Sequence, residues 1–229
     1  MELRKIRGGN LEELQQKQYT IGIGVSLGNK WFTVENIVAL TRWSLEHTKD
    51  VVVVYVADYI HAINLEVRNG ITHAKALELS NKMGNVIIEK VKNEIDKSFS
   101  LEEKEKIIYA SWKDLMDDRY KEDVKFLYNY YESNPLFKDT LKGIIKGFTK
   151  NENRTFDDQQ INRMAHYVIE EMPEMLKRVK IKNVLYDANA YPYDGELTIF
   201  FENIQLGKIF PEIKDRIITT KPKVFLEVR

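Results

Sequence analysis

The chain has 229 residues, 43% hydrophobic and 31% charged, the make-up of an ordinary globular protein long enough to bury a core. Thirty-five basic residues offset 35 acidic ones, which excludes a global field toward nucleic acid or membrane and leaves only local basic faces. The absence of cysteine removes disulfides, thiolate metal sites and cysteine nucleophiles together.

The charged start, MELRKIRGGN, lacks the apolar stretch of a signal peptide, and no apolar run exceeds strand length. A soluble, cytoplasmic protein is expected. Residues 19–25 read as a strand, with a tight turn at 26–30 where flanking glycines permit unusual dihedrals. Helical spacing of Val34, Ile37, Val38, Leu40 and Trp43 predicts a helix over 33–47. DVVVVYVAD (50–58) is a β-branched run of the kind found in strands buried on both faces. A long helix is predicted over 72–99, a weak strand over 106–112, and helices over 115–133 and 136–148, the second started by Pro135. After a polar loop (149–158), Thr155 and Asp158 resemble a capping box for a helix over 157–172 that Pro173 interrupts. Residues 179–188 read as a strand, 194–204 as a helix and 223–229 as a last strand. The pattern predicts one α/β domain spanning 1–229, with a Rossmann-like, mostly parallel sheet flanked by helices.

Gly24-Val25-Ser26-Leu27-Gly28 fits G-x-S-x-G, the pattern of a serine hydrolase elbow. A dinucleotide fingerprint fits less well: Leu27 holds the third glycine position, and the first acid after the second strand, Asp58, is too far on. GNKW lacks the G-K-[ST] ending of a P-loop. Of the four histidines, His47, His61 and His73 have many charged neighbours and read as solvated surface. His166 precedes Tyr167 on a helix and points away from its face. A Ser-His-acid triad therefore has little support. On local pattern alone Ser26 is equally a turn residue or a helix cap.

Three separated stretches share a further pattern. IGIGVSLGNKWFT (21–33) resembles the serine loop of the tRNA-dependent cyclodipeptide synthases; HYVIEEMPEM (166–175) resembles that family's helix bearing Tyr-x-x-x-Glu and then proline. AYPYDGEL (190–197) is similar to its late-strand tyrosine, which lies 20 positions beyond the glutamate. The resemblance implies a fold like the catalytic domain of class I tyrosyl- and tryptophanyl-tRNA synthetases. It also implies a reaction in which amino acids from two aminoacyl-tRNAs leave as a cyclic dipeptide, with no cofactor and no metal. Consistently, the chain has no H-I-G-H or K-M-S-K-S stretch.

By that resemblance Ser26 is the nucleophile, passing through an aminoacyl-serine and then a dipeptidyl-serine enzyme. Tyr167 and Glu171, four apart on one helical face, would grip the substrate's α-ammonium and relay its proton, and Tyr191 would orient Ser26. Gly24, Gly28, Asn29, Tyr55 and Pro192 complete the expected substrate-binding set, with Tyr55 equally readable as a core aromatic. Asn29 belongs to one branch of the family and the Tyr191-Pro192 pair to the other, a mixture that leaves the branch open. Tyr186 is a second candidate for the late tyrosine, and Glu170 and Glu174 are expected to be solvated. On the 72–99 helix, Lys75, Lys82, Lys90 and Lys97 fall within about 80° of one another, a candidate tRNA-binding face, though acids on the same segment equally suit a solvated surface. A serine esterase or amidase using the same loop, and a non-enzymatic Rossmann-like nucleotide- or RNA-binding domain, remain as alternatives.

Overall fold

The computed structural model describes every residue except Asn151 and Asp194; one position of the polar loop and the first residue of the helix expected at 194 thus lie outside it. The chain opens with strand β1 (Leu3–Arg7), helix α1 (Leu11–Gln15), β2 (Ile21–Val25), α2 (Val34–His47) and β3 (Val52–Val56). Helices α3 (Asp58–Asn69), α4 (His73–Ser98) and α5 (Leu101–Glu105) lead to β4 (Ile107–Ser111) and a 3-10 turn at Trp112–Leu115. Three longer helices follow, α6 (Asp118–Ser133), α7 (Pro135–Thr149) and α8 (Asp158–Leu176). The last part comprises β5 (Val179–Ile181), β6 (Val184–Tyr186), β7 (Ala188–Tyr191), α9 (Glu196–Gln205), α10 (Pro211–Ile217) and β8 (Val224–Val228).

Six strands form one sheet in the order β1-β8-β7-β2-β3-β4. All neighbours are parallel except β1, which closes one edge antiparallel to β8 and so joins the two ends of the chain. The α/β, mostly parallel, Rossmann-like architecture expected from the element pattern is the one observed.

Strand periodicity explains both faces of the sheet. Ile21, Ile23 and Val25 of β2, with Val52, Val54 and Val56 of β3, pack with Ile37 and Leu40 of α2 and Val91 and Ile95 of α4. On the opposite face β2 has only Gly22 and Gly24. A Cβ at Gly22 would lie 2.6 Å from the Tyr186 ring, and one at Gly24 would lie 2.8 Å from the Tyr55 hydroxyl. Two aromatic side chains thus lie across β2 in the space its glycines leave.

Several expectations need correction. Neither Gly24 nor Gly28 has a positive φ. Gly24 is required for space, and a Cβ on Gly28 would come within 3.3 Å of the His61 ring. Helix α8 runs through Pro173 to Leu176, because the turn containing the proline is tied to the sheet through Glu174, as described below. Its N-cap is Asp157, which accepts from Gln160 N while Gln160 Oε1 accepts from Asp157 N. The expected strand at 179–188 is a hairpin, β5-β6, turning at Lys182 and Asn183 with φ of 48° and 69°. Only then does β7 enter the main sheet. Helix α3 and strand β1 were not anticipated; β1, LRKIR, is a charged edge strand without apolar alternation. Among the described residues no helix is long and apolar enough to cross a membrane.

Candidate active site

Ser26 follows directly on the end of β2, Tyr191 ends β7, and Ala57 and Trp112 follow β3 and β4. All four lie at the carboxyl edge of the parallel strands, the usual place for ligands in open α/β sheets. Backbone bonds from Asn29 N to Ser26 O (3.2 Å) and from Phe32 N to Asn29 O (3.1 Å) form two successive turns that lead into α2. The Asn29 side chain braces them: Oδ1 accepts from Trp31 N at 3.0 Å, and Nδ2 donates to the Tyr191 hydroxyl at 3.4 Å.

Across the edge lies α8, which presents Tyr167, Glu171 and Glu174 at helical i, i+4, i+7 spacing. Together these elements enclose a cavity of about 310 Å³ lined by Gly24, Ser26, Tyr55, Trp112, Tyr167, Glu171, Glu174, Asn189 and Tyr191. Phe148, Met175, Tyr193, Leu197, Thr198 and Phe225 line it too, with Lys5, Arg7, Glu196 and Glu227. The Ser26 hydroxyl and the Tyr167 and Tyr191 phenols share the lining of this cavity, and Ser26 opposes the upward shift of both phenols.

The electrostatics of the site follow from burial. Desolvation, reinforced by the charge of Glu174, pushes the Glu171 carboxyl up to about 8, and its Oε2 is buried with no hydrogen-bond partner among the described residues. Burial also raises Tyr191 to about 12, against the opposing hydrogen bonds of Asn29 and Ser26. Tyr167 is raised well above the usual phenol, first by burial and then by Glu171. Both phenols therefore keep their protons at neutral pH and act as donors or relays.

Beneath the cavity lies a second polar cluster that the sequence did not reveal. Glu174 is 1% exposed and Lys223, immediately before the last strand, is 0% exposed. Oε1 of Glu174 accepts from the Tyr55 hydroxyl at 2.8 Å, from Lys223 Nζ at 3.3 Å and from the Tyr186 hydroxyl. The Lys223 ammonium also sits 3.4 Å from the centre of the Tyr186 ring, and burial pulls it down to about 8. Glu174 is thus not solvated. Nor is Glu170, which accepts from the Tyr128 hydroxyl at 3.0 Å. A lysine inside the apolar run KVFLEV was the available signal for a buried pair.

Of the sequence-predicted residues, Gly24, Ser26, Tyr55, Tyr167, Glu171 and Tyr191 line the one cavity. Gly28, Asn29 and Pro192 do not. Gly28 packs near His61, Asn29 reaches the site through Tyr191, and the Pro192 carbonyl accepts from Arg229 Nε at 2.9 Å. Tyr186 lies in the polar cluster below the cavity and is not on its lining. Lys75, Lys82, Lys90 and Lys97 are exposed on α4, away from the lining, with Lys75 paired to Glu78 at 2.8 Å and Lys97 to Glu94 at 3.2 Å.

The histidines differ from expectation in part. His61 is buried, which lowers it to about 4, and His47 stacks on Trp43; His73 is exposed. His166 turns toward Tyr128, Tyr131 and Arg163 and does not line the cavity.

An open, mostly parallel sheet with a serine, two tyrosines and a carboxyl converging at its carboxyl edge defines a Rossmann-like enzyme domain. The family model for cyclodipeptide synthases matches residues 9–203, and the chain belongs to that family. Three solved structures share the fold. A cyclodipeptide synthase from Bacillus thermoamylovorans superposes with a TM-score of 0.72 at 18% identity, covering 94% of this chain and 90% of that one. One from Staphylococcus haemolyticus gives 0.70 at 17%, covering 98% and 99%. One from Mycobacterium tuberculosis, whose structure related cyclodipeptide synthetases to type I tRNA synthetases, gives 0.62 at 15%, covering 85% and 80%. No curated protein matches the sequence.

Proposed function

We propose that this protein takes amino acids from two aminoacyl-tRNAs and joins them into a cyclic dipeptide through covalent intermediates on Ser26. One observation carries the reading: the Ser26 hydroxyl, the phenols of Tyr167 and Tyr191, and the unpartnered carboxyl of Glu171 meet in a single cavity. An aminoacyl ester is already activated, so the site needs only a nucleophile and groups that orient the acyl carbon.

Ser26 Oγ attacks the first ester, and its proton ends on the departing ribose hydroxyl. The amine of the serine-bound residue then attacks the second aminoacyl-tRNA ester, releasing the second tRNA and leaving a dipeptide on Ser26. The direction follows from atom balance, since attack by the second tRNA's amine on the serine ester would move the dipeptide to tRNA and free the serine. Finally the terminal amine closes on the serine ester, forming the ring and restoring the hydroxyl.

Glu171 suits the α-amine for a thermodynamic reason. Its carboxyl, raised by burial to about 8, lies close to the ordinary range of an α-amino group. Proton exchange between the two is then nearly balanced, so the same pair can hold an ammonium during acylation and release a neutral amine for attack. Tyr167, one turn before Glu171 on α8 and on the same cavity as Ser26, is the group placed to relay the proton. Asn29 holds the Tyr191 phenol against the serine loop. The exposed lysines of α4 offer a phosphate-binding face for the tRNA.

The test is incubation with a mixed pool of aminoacyl-tRNAs followed by mass spectrometry. Cyclic dipeptides that disappear in Ser26→Ala, with RNA binding retained, support the reading. Free amino acids alone would favour an esterase, and RNA binding without any turnover would favour a non-enzymatic domain.

A further inference from the structure

We propose that at least one of the two aminoacyl groups accepted here carries a neutral polar side chain (hydroxyl, amide, phenol or imidazole) that accepts from the indole N–H of Trp112 or donates to Oδ1 of Asn189. The proposal rests on the cyclodipeptide reading and names the substrate class within it.

Trp112 is 1% exposed and Asn189 4% exposed, and both line the cavity. The Trp112 Nε1 finds no hydrogen-bond partner among the described residues, nor does Asn189 Oδ1. The Asn189 Nδ2 reaches only the Met175 sulfur, at 3.8 Å. Apart from the Glu171 carboxyl, which the reading gives to the α-amine, neighbouring polar groups on the lining have partners: the Tyr55 hydroxyl is taken by Glu174, and the Tyr191 hydroxyl by Asn29. Buried polar side chains are almost always paired. Two without partners, on residues that line a substrate cavity, are the places where the ligand would supply one. An acceptor on the substrate satisfies the indole, and a hydroxyl, amide or imidazole satisfies either face of the Asn189 amide.

The charges buried in this part of the site favour a neutral side chain. Glu174 is committed to Lys223 and two phenols, and Glu171 is left for the α-ammonium. Of the other charged lining groups, Lys5 and Glu196 are exposed, Arg7 pairs with Glu202, and Glu227 pairs with Arg229 at 2.9 Å. A site built to hydrogen-bond its substrate discriminates strongly against analogues lacking the group.

The experiment supplies the wild-type protein with the full set of aminoacyl-tRNAs and identifies every cyclic dipeptide. The main products should contain Ser, Thr, Asn, Gln, Tyr or His. Trp112→Phe and Asn189→Leu are then compared by the ratio of polar-containing to wholly apolar products, which should fall about tenfold or more in at least one variant. A general loss of folding lowers all products but does not move that ratio. Wild-type products built only from aliphatic, phenylalanyl, tryptophanyl or charged residues would overturn the proposal while leaving the reaction intact. So would an unchanged ratio in both variants. Absence of any cyclic dipeptide would instead overturn the functional reading, and this inference with it.

Discussion

Lys223 and Glu174 form an ion pair of 3.3 Å with both side chains withdrawn from solvent, directly below the Ser26 cavity. The pair holds the last turn of α8 to the final strand and places Tyr55 across Gly24. Leaving one buried charge without its partner is among the most destabilising changes a protein meets, about 3–5 kcal/mol. Lys223→Met should lower stability by that order in urea unfolding. Combining it with Glu174→Gln should cost clearly less than the sum of the single changes. Strict additivity would show that the two residues do not act as a pair.

The carboxyl of Glu171 makes stability depend on pH in a defined direction. Its folded value, about 8, lies above the ordinary 4.5, so between these limits the folded chain holds a proton that the unfolded chain releases. The resulting stabilisation is complete below about 4.5 and is lost as pH rises through 8. Glu171→Gln cannot ionise and escapes the loss. Relative to wild type, the variant should gain up to about 4 kcal/mol between pH 5 and pH 9. An identical difference in melting temperature at both pH values would contradict the assigned burial. The same variant should lose most synthesis, because an amide cannot exchange a proton with the α-amine.

Tyr167→Phe removes the proposed relay without changing shape. Turnover should fall by about 10²–10⁴-fold, with KM for aminoacyl-tRNA little changed. Tyr191→Phe, which loses its hydrogen bond with Asn29 but not the ring, should fall less. A Tyr167→Phe enzyme at full rate would remove the phenol from the chemistry.

The α4 face gives a salt-dependent prediction. Replacing Lys82, Lys90 and Lys97 together should raise KM for aminoacyl-tRNA. It should also flatten the dependence of log affinity on log salt by about 2–3, one increment of 0.7–0.9 per lost phosphate contact. Lys97 is already engaged by Glu94, so most of the change should come from Lys82 and Lys90. An unchanged salt slope would assign the face to solvent.

Local pattern revealed some of this architecture and hid the rest. The β-branched run of β3, the helical spacing of α2 and α4, and the proline opening α7 each identify their elements, because burial and capping are read over a few residues. The Tyr167–Glu171 spacing was equally local. By contrast, Gly24 is glycine because the hydroxyl of Tyr55 crosses it, and Glu174 is buried because Tyr55, Tyr186 and Lys223 converge on it. Those contacts span up to 119 residues, beyond the reach of periodicity. Pro173 misled for the same reason: its local preference to end a helix was outweighed by the tertiary bonds of the residue after it. Strand β1 was hidden because an edge strand carries charge where an interior one carries β-branched residues.

The most direct measurement is the mass of the intact protein after brief mixing with a single aminoacyl-tRNA, followed by peptide mapping. The reading requires a gain equal to one aminoacyl group, located at Ser26 and absent from Ser26→Ala. Cyclic dipeptide formed at full rate by Ser26→Ala, or by a wild-type protein whose Ser26 never carries the acyl group, would contradict it.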